Sequence, residues 1–451
     1  MLVAVSGRLS GRQEEWYRKI FNYFVLEILS LYYLLVQRQD FFVFILSRLE
    51  CSEMLTLDKI FEAQVVLKDI IRATKVVPSN GIAADCRLYL KPENLQKTGS
   101  FKLRGSGYKI ATLSDEEKAR GVIACSAGNH AQGVALAASK HGIKSLICLP
   151  DSAPISKVEA TKSYGADICL VNGCYDDAYA KALQLKDEMG YSFVHPFDDE
   201  AVIAGQGTIG LEIASDLDDV DAVIVPIGGG GLISGVAYAL KSIRPSIKVY
   251  GVQAAGAPSM FKSLKSGNIE CLDSVSTIAD GIAVKQPGEH TFELINKYVD
   301  DIALVTEDEI AGAILELIEK QKMIAEGAGA VSVAAAMFNK FPIQGKKVVS
   351  LVSGGNIDVT SLSRVIKRGL IKSGRTSSML IELIDKPGQL KDVSRIIADC
   401  GGNVTGVHHE RAGSTESVNG CYLRITMETR NYDHVLEIKE ALKAEGFKIV
   451  E

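Results

Sequence analysis

AVIVPIGGGGLISGVAYALKSI (222–243) is the stretch from which the fold is read. Its first six residues are a continuous apolar run, with no alternation of polar and apolar positions. Such a run suits a strand buried on both faces, as in a parallel sheet covered by helices. Four glycines (228–231) follow, and LISGVAYALKSI (232–243) then reads as a helix. Glycines let the main chain approach an anion closely, and the free N–H groups of a first helical turn point toward it. A nicotinamide site would want an acidic residue at the end of the next strand, but KVYGVQ (248–253) ends in Gln253. The turn therefore suits a single phosphate better than a dinucleotide, with a tight turn and no ligand as the alternative.

The same alternation extends on both sides, from about residue 85 to 370. Further apolar runs are VIACS (122–126), SLICLP (145–150), DICLV (167–171) and VVSLVS (348–353). Helical stretches lie between them: AQGVALAASKHG (131–142), ISKVEATKSYGA (155–166) and YDDAYAKALQLKDEMG (175–190). Strands alternating with helices give an α/β fold with parallel sheets, and ligands on such sheets bind beyond the carboxyl ends of the strands. The glycine-rich turns fall at those ends.

Three of these turns carry reactive or polar side chains. KTGSFKLRG (97–105) places Lys102 after an aromatic ring and small residues, SAGNH (126–130) joins a strand to a helix, and SGGN (353–356) closes another strand. A lone loop lysine is ordinarily a solvated charge. Beside a phosphate-binding turn, it is the amine that can hold an aldehyde cofactor as a Schiff base. The SAGNH amides can hold a substrate carboxylate, and Asn129 can bond a ring hydroxyl. His130 taken alone reads as a buried, satisfied histidine, and Ser353 as a cap or turn residue that could face a ring nitrogen.

The 451 residues suggest about three domains. Net charge is −5, with no basic stripe bearing interleaved aromatics, so nucleic acid is not an expected partner. Nine scattered cysteines form no CxxC pair and no Cys/His cluster, which points to reduced thiols in a cytosol. Residues 1–53 differ from the rest: the first 50 hold 10 of the 30 aromatic residues, and IFNYFVLEILSLYYLLV (20–36) is apolar but interrupted by Glu27. A membrane span needs roughly 20 apolar residues. Three readings stay open for this extension: a start-site artefact with the true start at Met54, an amphipathic helix, or a membrane anchor, the last the poorest fit. Beyond about residue 372 the chain reads as strand (379–385), helix, strand, strand, helix and strand (447–451), a compact βαββαβ unit.

Taken together, KTGSFKLRG, SAGNHAQGVA, GGGGL, TIADG (277–281), EGAGA (326–330) and SGGN resemble the signature set of the pyridoxal-phosphate enzymes of the tryptophan-synthase-β fold type, fold type II. Within that type the chain is similar to the threonine/serine dehydratases, or ammonia-lyases, from about residue 55 to 370. The C-terminal unit, with IELIDKPGQL (381–390), resembles an ACT domain, a ferredoxin-like amino-acid-binding module. The resemblance implies two open α/β lobes over residues 54–372 and a regulatory domain over 376–451. Lys102 would hold pyridoxal 5'-phosphate, with Phe101 packed near it. Asn129 would bond its 3-hydroxyl, Gly228, Gly229, Gly230, Gly231 and Leu232 would bind its phosphate, and Ser353 would face its ring nitrogen. Ser126, Ala127, Gly128 and His130 would form the loop for the substrate carboxylate.

The implied reaction is β-elimination of L-threonine to 2-oxobutanoate and ammonia, with serine to pyruvate as a slower activity. Pro387, Gly388 and Leu390 would receive an amino-acid effector such as isoleucine or valine. The layout further implies a cytoplasmic homo-oligomer, a homotetramer, in isoleucine biosynthesis or threonine catabolism. Related serine racemases carry Ser where this chain has Ala127, and Ala has no proton to give. Their divalent-metal site needs acidic residues where QAAGAPS (253–259) has Gln253 and Ser259, so no such metal site is expected. A racemase, a cysteine or threonine synthase of the same fold, and an amino-acid sensor on an inactive scaffold are the competing readings.

Overall fold

The structure, a computed structural model, describes residues 55–79, 81–410 and 420–450. Residues Leu55–Glu451 form one compact unit. The N-terminal extension read as residues 1–53 lies outside the described residues.

The strands in chain order are β1 (Val77–Pro78), β2 (Arg87–Pro92), β3 (Val122–Cys125), β4 (Ser145–Pro150), β5 (Asp167–Val171), β6 (Ser192–Phe193) and β7 (Ala222–Pro226). They continue with β8 (Lys248–Ala254), β9 (Asp301–Val305), β10 (Lys347–Val352), β11 (Thr376–Ile384), β12 (Asn403–Glu410), β13 (Gly420–Glu428) and β14 (Lys448–Ile449). Three sheets result. The larger has the order β1-β2-β10-β7-β8-β9, parallel except for the antiparallel edge strand β1. The smaller is parallel, β5-β4-β3-β6. The third is antiparallel, β12-β13-β11-β14. This is the expected α/β architecture of fold type II, followed by a ferredoxin-like unit.

Apolar continuity and burial agree in the central strands and part at the sheet edge. All five residues of β7 and all four of β3 are buried, whereas the edge strand β5 keeps two of its five exposed. Helix Glu200–Asp216 packs against helix Gly231–Ile243 at backbone distance. A Cβ at Gly235 would lie 2.2 Å from Ile203 O and 2.6 Å from Gly207 N, so no larger residue fits this crossing. Beneath the reactive turns lies a buried charge network. Arg104, in helix Lys102–Ala111, donates to both carboxylate oxygens of Glu93 at 2.8 Å and to those of Glu212 at 2.7 and 2.8 Å, while Lys91 donates to Glu212 at 2.5 Å. Arg104, Lys91 and Glu93 are fully buried. Loss of one member of such a pair typically costs about 3–5 kcal/mol, because its partner's charge stays buried. The network therefore fixes the end of β2 and two helices relative to one another.

In the C-terminal unit the alternation along β13 is strict: Cys421, Leu423, Ile425 and Met427 are buried while the intervening residues are not. They pack with Val393, Ile397, Ile438 and Leu442 from helices Gln389–Asp399 and Tyr432–Ala444. The first strand begins at Thr376, earlier than the apolar run MLIELID indicates, because Thr376, Ser377 and Ser378 pair with Glu428, Met427 and Thr426. The last is shorter than FKIVE, since only Lys448 and Ile449 pair with β11. Helix Val359–Lys372 precedes β11, and Arg375 between them forms an ion pair with Glu319. No helix among the described residues is long and apolar enough to cross a membrane.

Candidate active site

Four parallel strands deliver their carboxyl ends to one region: β2 runs on toward KTGSFK, β3 into SAGNH, β7 into the four glycines and β10 into SGGN. The turns are stitched to one another by main-chain contacts. Phe101 N donates to Ser353 O at 3.1 Å, Gly355 N to Gly99 O at 2.9 Å, and Glu326 N to Gly354 O at 3.1 Å. Helix Asn129–Lys140 sits against the start of the lysine-bearing helix, where a Cβ at Gly133 would come within 3.1 Å of the Lys102 carbonyl carbon.

Lys102 opens helix Lys102–Ala111 and is partly buried. Its Nζ donates to Pro196 O at 2.6 Å and lies 5.3 Å from the Phe101 ring centroid. Burial pulls its pKa down to about 8, with the Glu326 carboxylate opposing that shift. An amine so placed is uncharged in an appreciable fraction of molecules near neutrality, which a nucleophile or base requires.

Pro196 also leads to the glycine turn, because its neighbour Phe197 packs on that turn. A Cβ at Gly229 would lie 2.4 Å from the Phe197 ring, and one at Gly231 would lie 2.5 Å from Phe197 O. Gly230 is left-handed at φ 102°, and a Cβ there would meet Thr291 at 2.7 Å. Gly228 abuts Ile282, and Leu232 is buried in the first turn of helix Gly231–Ile243. The amides at this helix start have no intrahelical acceptor. Thus HPFDD (195–199) joins the amine to the cradle: Pro196 holds Lys102, Phe197 backs the glycines, and Asp198 caps helix Glu289–Tyr298 through Glu289 N and Thr291 N. Sequence reasoning passed over this segment, whose only signal is its position after β6.

Asn129 starts its helix and is held on both sides. Its Nδ2 donates to Glu326 Oε1 at 2.6 Å, and its Oδ1 accepts from Asn356 Nδ2 at 2.8 Å. Asn356 Nδ2 also donates to Thr98 O at 2.7 Å. Glu326 is buried, and that burial pushes its carboxyl up to about 7, with Asp280 adding to the shift. The glycines of the neighbouring motifs leave room for it: a Cβ at Gly354 would sit 2.3 Å from Glu326 Oε1, and one at Gly281 3.5 Å away. Glu326 and Asn356 had received no individual role from the sequence, although each sits inside a quoted motif.

Ser353 is buried and donates to Ala328 O at 3.2 Å. In the SAGNH loop, Ser126 Oγ accepts from Gly128 N at 3.2 Å, and Ala127 is partly buried beside it. A Cβ at Gly128 would meet nothing within 4 Å, so this loop borders open space. The His130 ring is not in that space. It is 3% exposed, its Nε2 lies 2.8 Å from Val194 O, and burial together with the Lys102 charge drives its pKa to about 3. The ring is therefore a neutral core imidazole with the proton on Nε2, buried as its residue type alone suggested but not fully satisfied, since its Nδ1 has no partner among the described residues. Only its main chain stands at the loop.

These residues fit pyridoxal phosphate on two observations. The glycine turn leaves no room for side chains at three successive positions yet presents a helix start. The buried Ser100 hydroxyl, two residues before Lys102, has no partner among the described residues. Pro387, Gly388 and Leu390, by contrast, lie in the C-terminal unit, where they line a cavity of about 220 Å3 with Leu383, Asp385 and His409.

Comparison with known proteins agrees with this geometry. Residues 67–354 match the family of pyridoxal-phosphate dependent enzymes. The chain is 50% identical over 398 residues to L-threonine ammonia-lyase of Thermotoga maritima, covering 88% of this chain and 99% of that protein. Among solved structures it is similar to threonine deaminase isoform 2 from Solanum lycopersicum, with a TM-score of 0.65, 38% identity, and 69% and 93% of the two chains covered. It is also similar to maize serine racemase, with a TM-score of 0.67, 36% identity, and 71% and 99% covered. With a family match over residues 67–354 and a relative matched along nearly its whole length, the chain belongs to the pyridoxal-phosphate-dependent enzymes of fold type II and, among them, to the threonine ammonia-lyase family.

Proposed function

We propose that this chain deaminates L-threonine to 2-oxobutanoate and ammonia, and L-serine more slowly to pyruvate. The observation that carries this reading is the partly buried Lys102 amine, held by Pro196 next to a cradle of glycines backed by Phe197. Pyridoxal phosphate, when bound, supplies the electron sink that makes the substrate's α-proton acidic. The residues do the rest. The amides of Gly228–Leu232 would bind the phosphate, and Phe101 would pack near the cofactor. Asn129, fixed between Glu326 and Asn356, would hold the 3-hydroxyl. Ser353 would offer the ring nitrogen a neutral hydroxyl, a setting suited to prompt elimination. The amides of Ser126–His130 receive the substrate carboxylate. Lys102, with its pKa near 8, removes the α-proton at Cα.

A racemase needs a second proton donor on the opposite face, and Ala127 offers none. The 36% likeness to maize serine racemase is therefore read as shared scaffold. Residues 54–372 constitute the catalytic domain in this reading, and 376–451 an ACT regulatory domain. An amino-acid effector, isoleucine or valine, enters the cavity lined by Pro387, Gly388 and Leu390. Its carboxylate faces the start of helix Gln389–Asp399. The connecting segment is tied to both parts: Arg375 forms an ion pair with Glu319 of the catalytic part, and the Thr429 hydroxyl of the C-terminal unit donates to Gly374 O. The protein acts in the cytosol as a homotetramer.

The test is oxoacid release from L-threonine and L-serine by the holoenzyme, with isoleucine and valine titrated in. Full activity in Lys102→Ala removes the assignment. Unchanged effector response in Leu390→Arg, an exposed position, removes the regulatory part alone.

A further inference from the structure

No Cys/His cluster is visible in the sequence, yet the C-terminal sheet assembles one. β12 and β13 pair so that His409 faces Leu423, which puts Cys421 two residues along the same strand and on the same face. β13 and β11 pair so that Cys421 faces Leu383. Asp385, two residues beyond Leu383, follows the strand at that same corner. The donor atoms of Asp385, His409 and Cys421 all lie within 4.8 Å of one another, and His409 Nε2 is 3.1 Å from Cys421 Sγ. Cys421 is buried, whereas Asp385 and His409 are exposed. All three line the cavity of about 220 Å3.

We infer that Asp385, His409 and Cys421 form a binding site for a borderline divalent cation of the Zn2+ class. One thiolate, one imidazole and one carboxylate match the donor preference of such ions and not that of Mg2+ or Ca2+, which take oxygen ligands. Zn2+ bonds of about 2.0–2.3 Å place tetrahedral donors roughly 3.3–3.8 Å apart. The observed spacing therefore closes by side-chain adjustment, which two exposed residues can make. Binding exchanges the Cys421 thiol proton for the metal, so one proton leaves as the sulfur–metal bond forms. Three protein ligands leave a tetrahedral ion one position for water or for a small molecule in the cavity. The site does not depend on the effector reading, since it rests on donor identity and strand register.

The test is equilibrium dialysis of the full-length holoenzyme, stripped of metal by chelator, against zinc chloride, with bound metal counted by mass spectrometry. One zinc per chain is expected, with affinity weakened at least roughly tenfold in His409→Ala and in Cys421→Ser. His409 is exposed, so its variant keeps the fold even where the buried Cys421→Ser does not, and Asp385→Asn gives a second exposed check. A wild-type protein that retains no zinc overturns the inference. So does a folded His409→Ala or Cys421→Ser protein that binds zinc as the wild type does.

Discussion

Replacing Lys102 by methionine should abolish oxoacid release and at the same time stabilise the cofactor-free protein. Burial lowers the pKa of this amine from 10.5 to about 8, a difference of 10.5 − 8 = 2.5. At about 1.4 kcal/mol per unit, that penalises the folded state by about 3 kcal/mol. The sign follows from proton counting. Between pH 8 and 10.5 the unfolded chain binds more protons than the folded one, so stability rises with pH across that window. Below pH 8 both states are protonated and the whole penalty is present. The penalty relieved in Lys102→Met is then largest at neutral pH and shrinks to about 1 kcal/mol by pH 9.5. Methionine leaves Pro196 O without its 2.6 Å donor, which offsets about 1 kcal/mol. A net gain of about 2 kcal/mol at pH 7 remains. Urea unfolding of both cofactor-stripped proteins at pH 7 and 9.5, followed by circular dichroism, measures it. A variant less stable than its parent at pH 7, or a difference that does not change with pH, would refute the claim that burial sets the properties of this amine.

Two further substitutions probe the neighbouring groups. Burial raises the Glu326 carboxyl to about 7 from 4.5, so the folded state binds the extra proton and its stability falls as pH climbs through that window. Glu326→Gln should gain stability above pH 7, show no gain below pH 4.5, and lose any inflection near pH 7 in the pH profile of kcat/KM; a profile identical to the parent's would count against a titrating Glu326. Gly229→Ala would push a methyl group to 2.4 Å from the Phe197 ring and should weaken pyridoxal-phosphate retention at least tenfold, about 1.4 kcal/mol. Partial recovery in the double variant with Phe197→Ala, read by cofactor absorbance after dialysis, would locate the effect at that contact.

The fold was largely legible because the strands β3, β7 and β10 are short, continuous apolar runs closed by glycine-rich turns, and β4, β5 and β8 are similar runs between helical stretches. SLICLP and DICLV coincide with β4 and β5 residue for residue. Strand limits were less legible where pairing, not hydropathy, extends a strand, as at Thr376–Ser378. In the candidate site, Lys102 and the glycine turn were singled out because an amine and a side-chain-free turn have few other uses together, and the structure links them through Pro196 and Phe197. His130 could be read as a core residue from base expectations for a single histidine.

Sequence alone therefore determined the α/β architecture and the appended βαββαβ unit, since both are written in local periodicity and composition, and it singled out Lys102 and the glycine turn as the site candidates. Only tertiary structure decided that Pro196 and Phe197 couple lysine to cradle, that Glu326 and Asn356 clamp Asn129, and that His409, Cys421 and Asp385 share one corner of a sheet. Those partners lie far apart along the chain. Strand register and helix packing bring them together, and neither is recorded in any short window of residues.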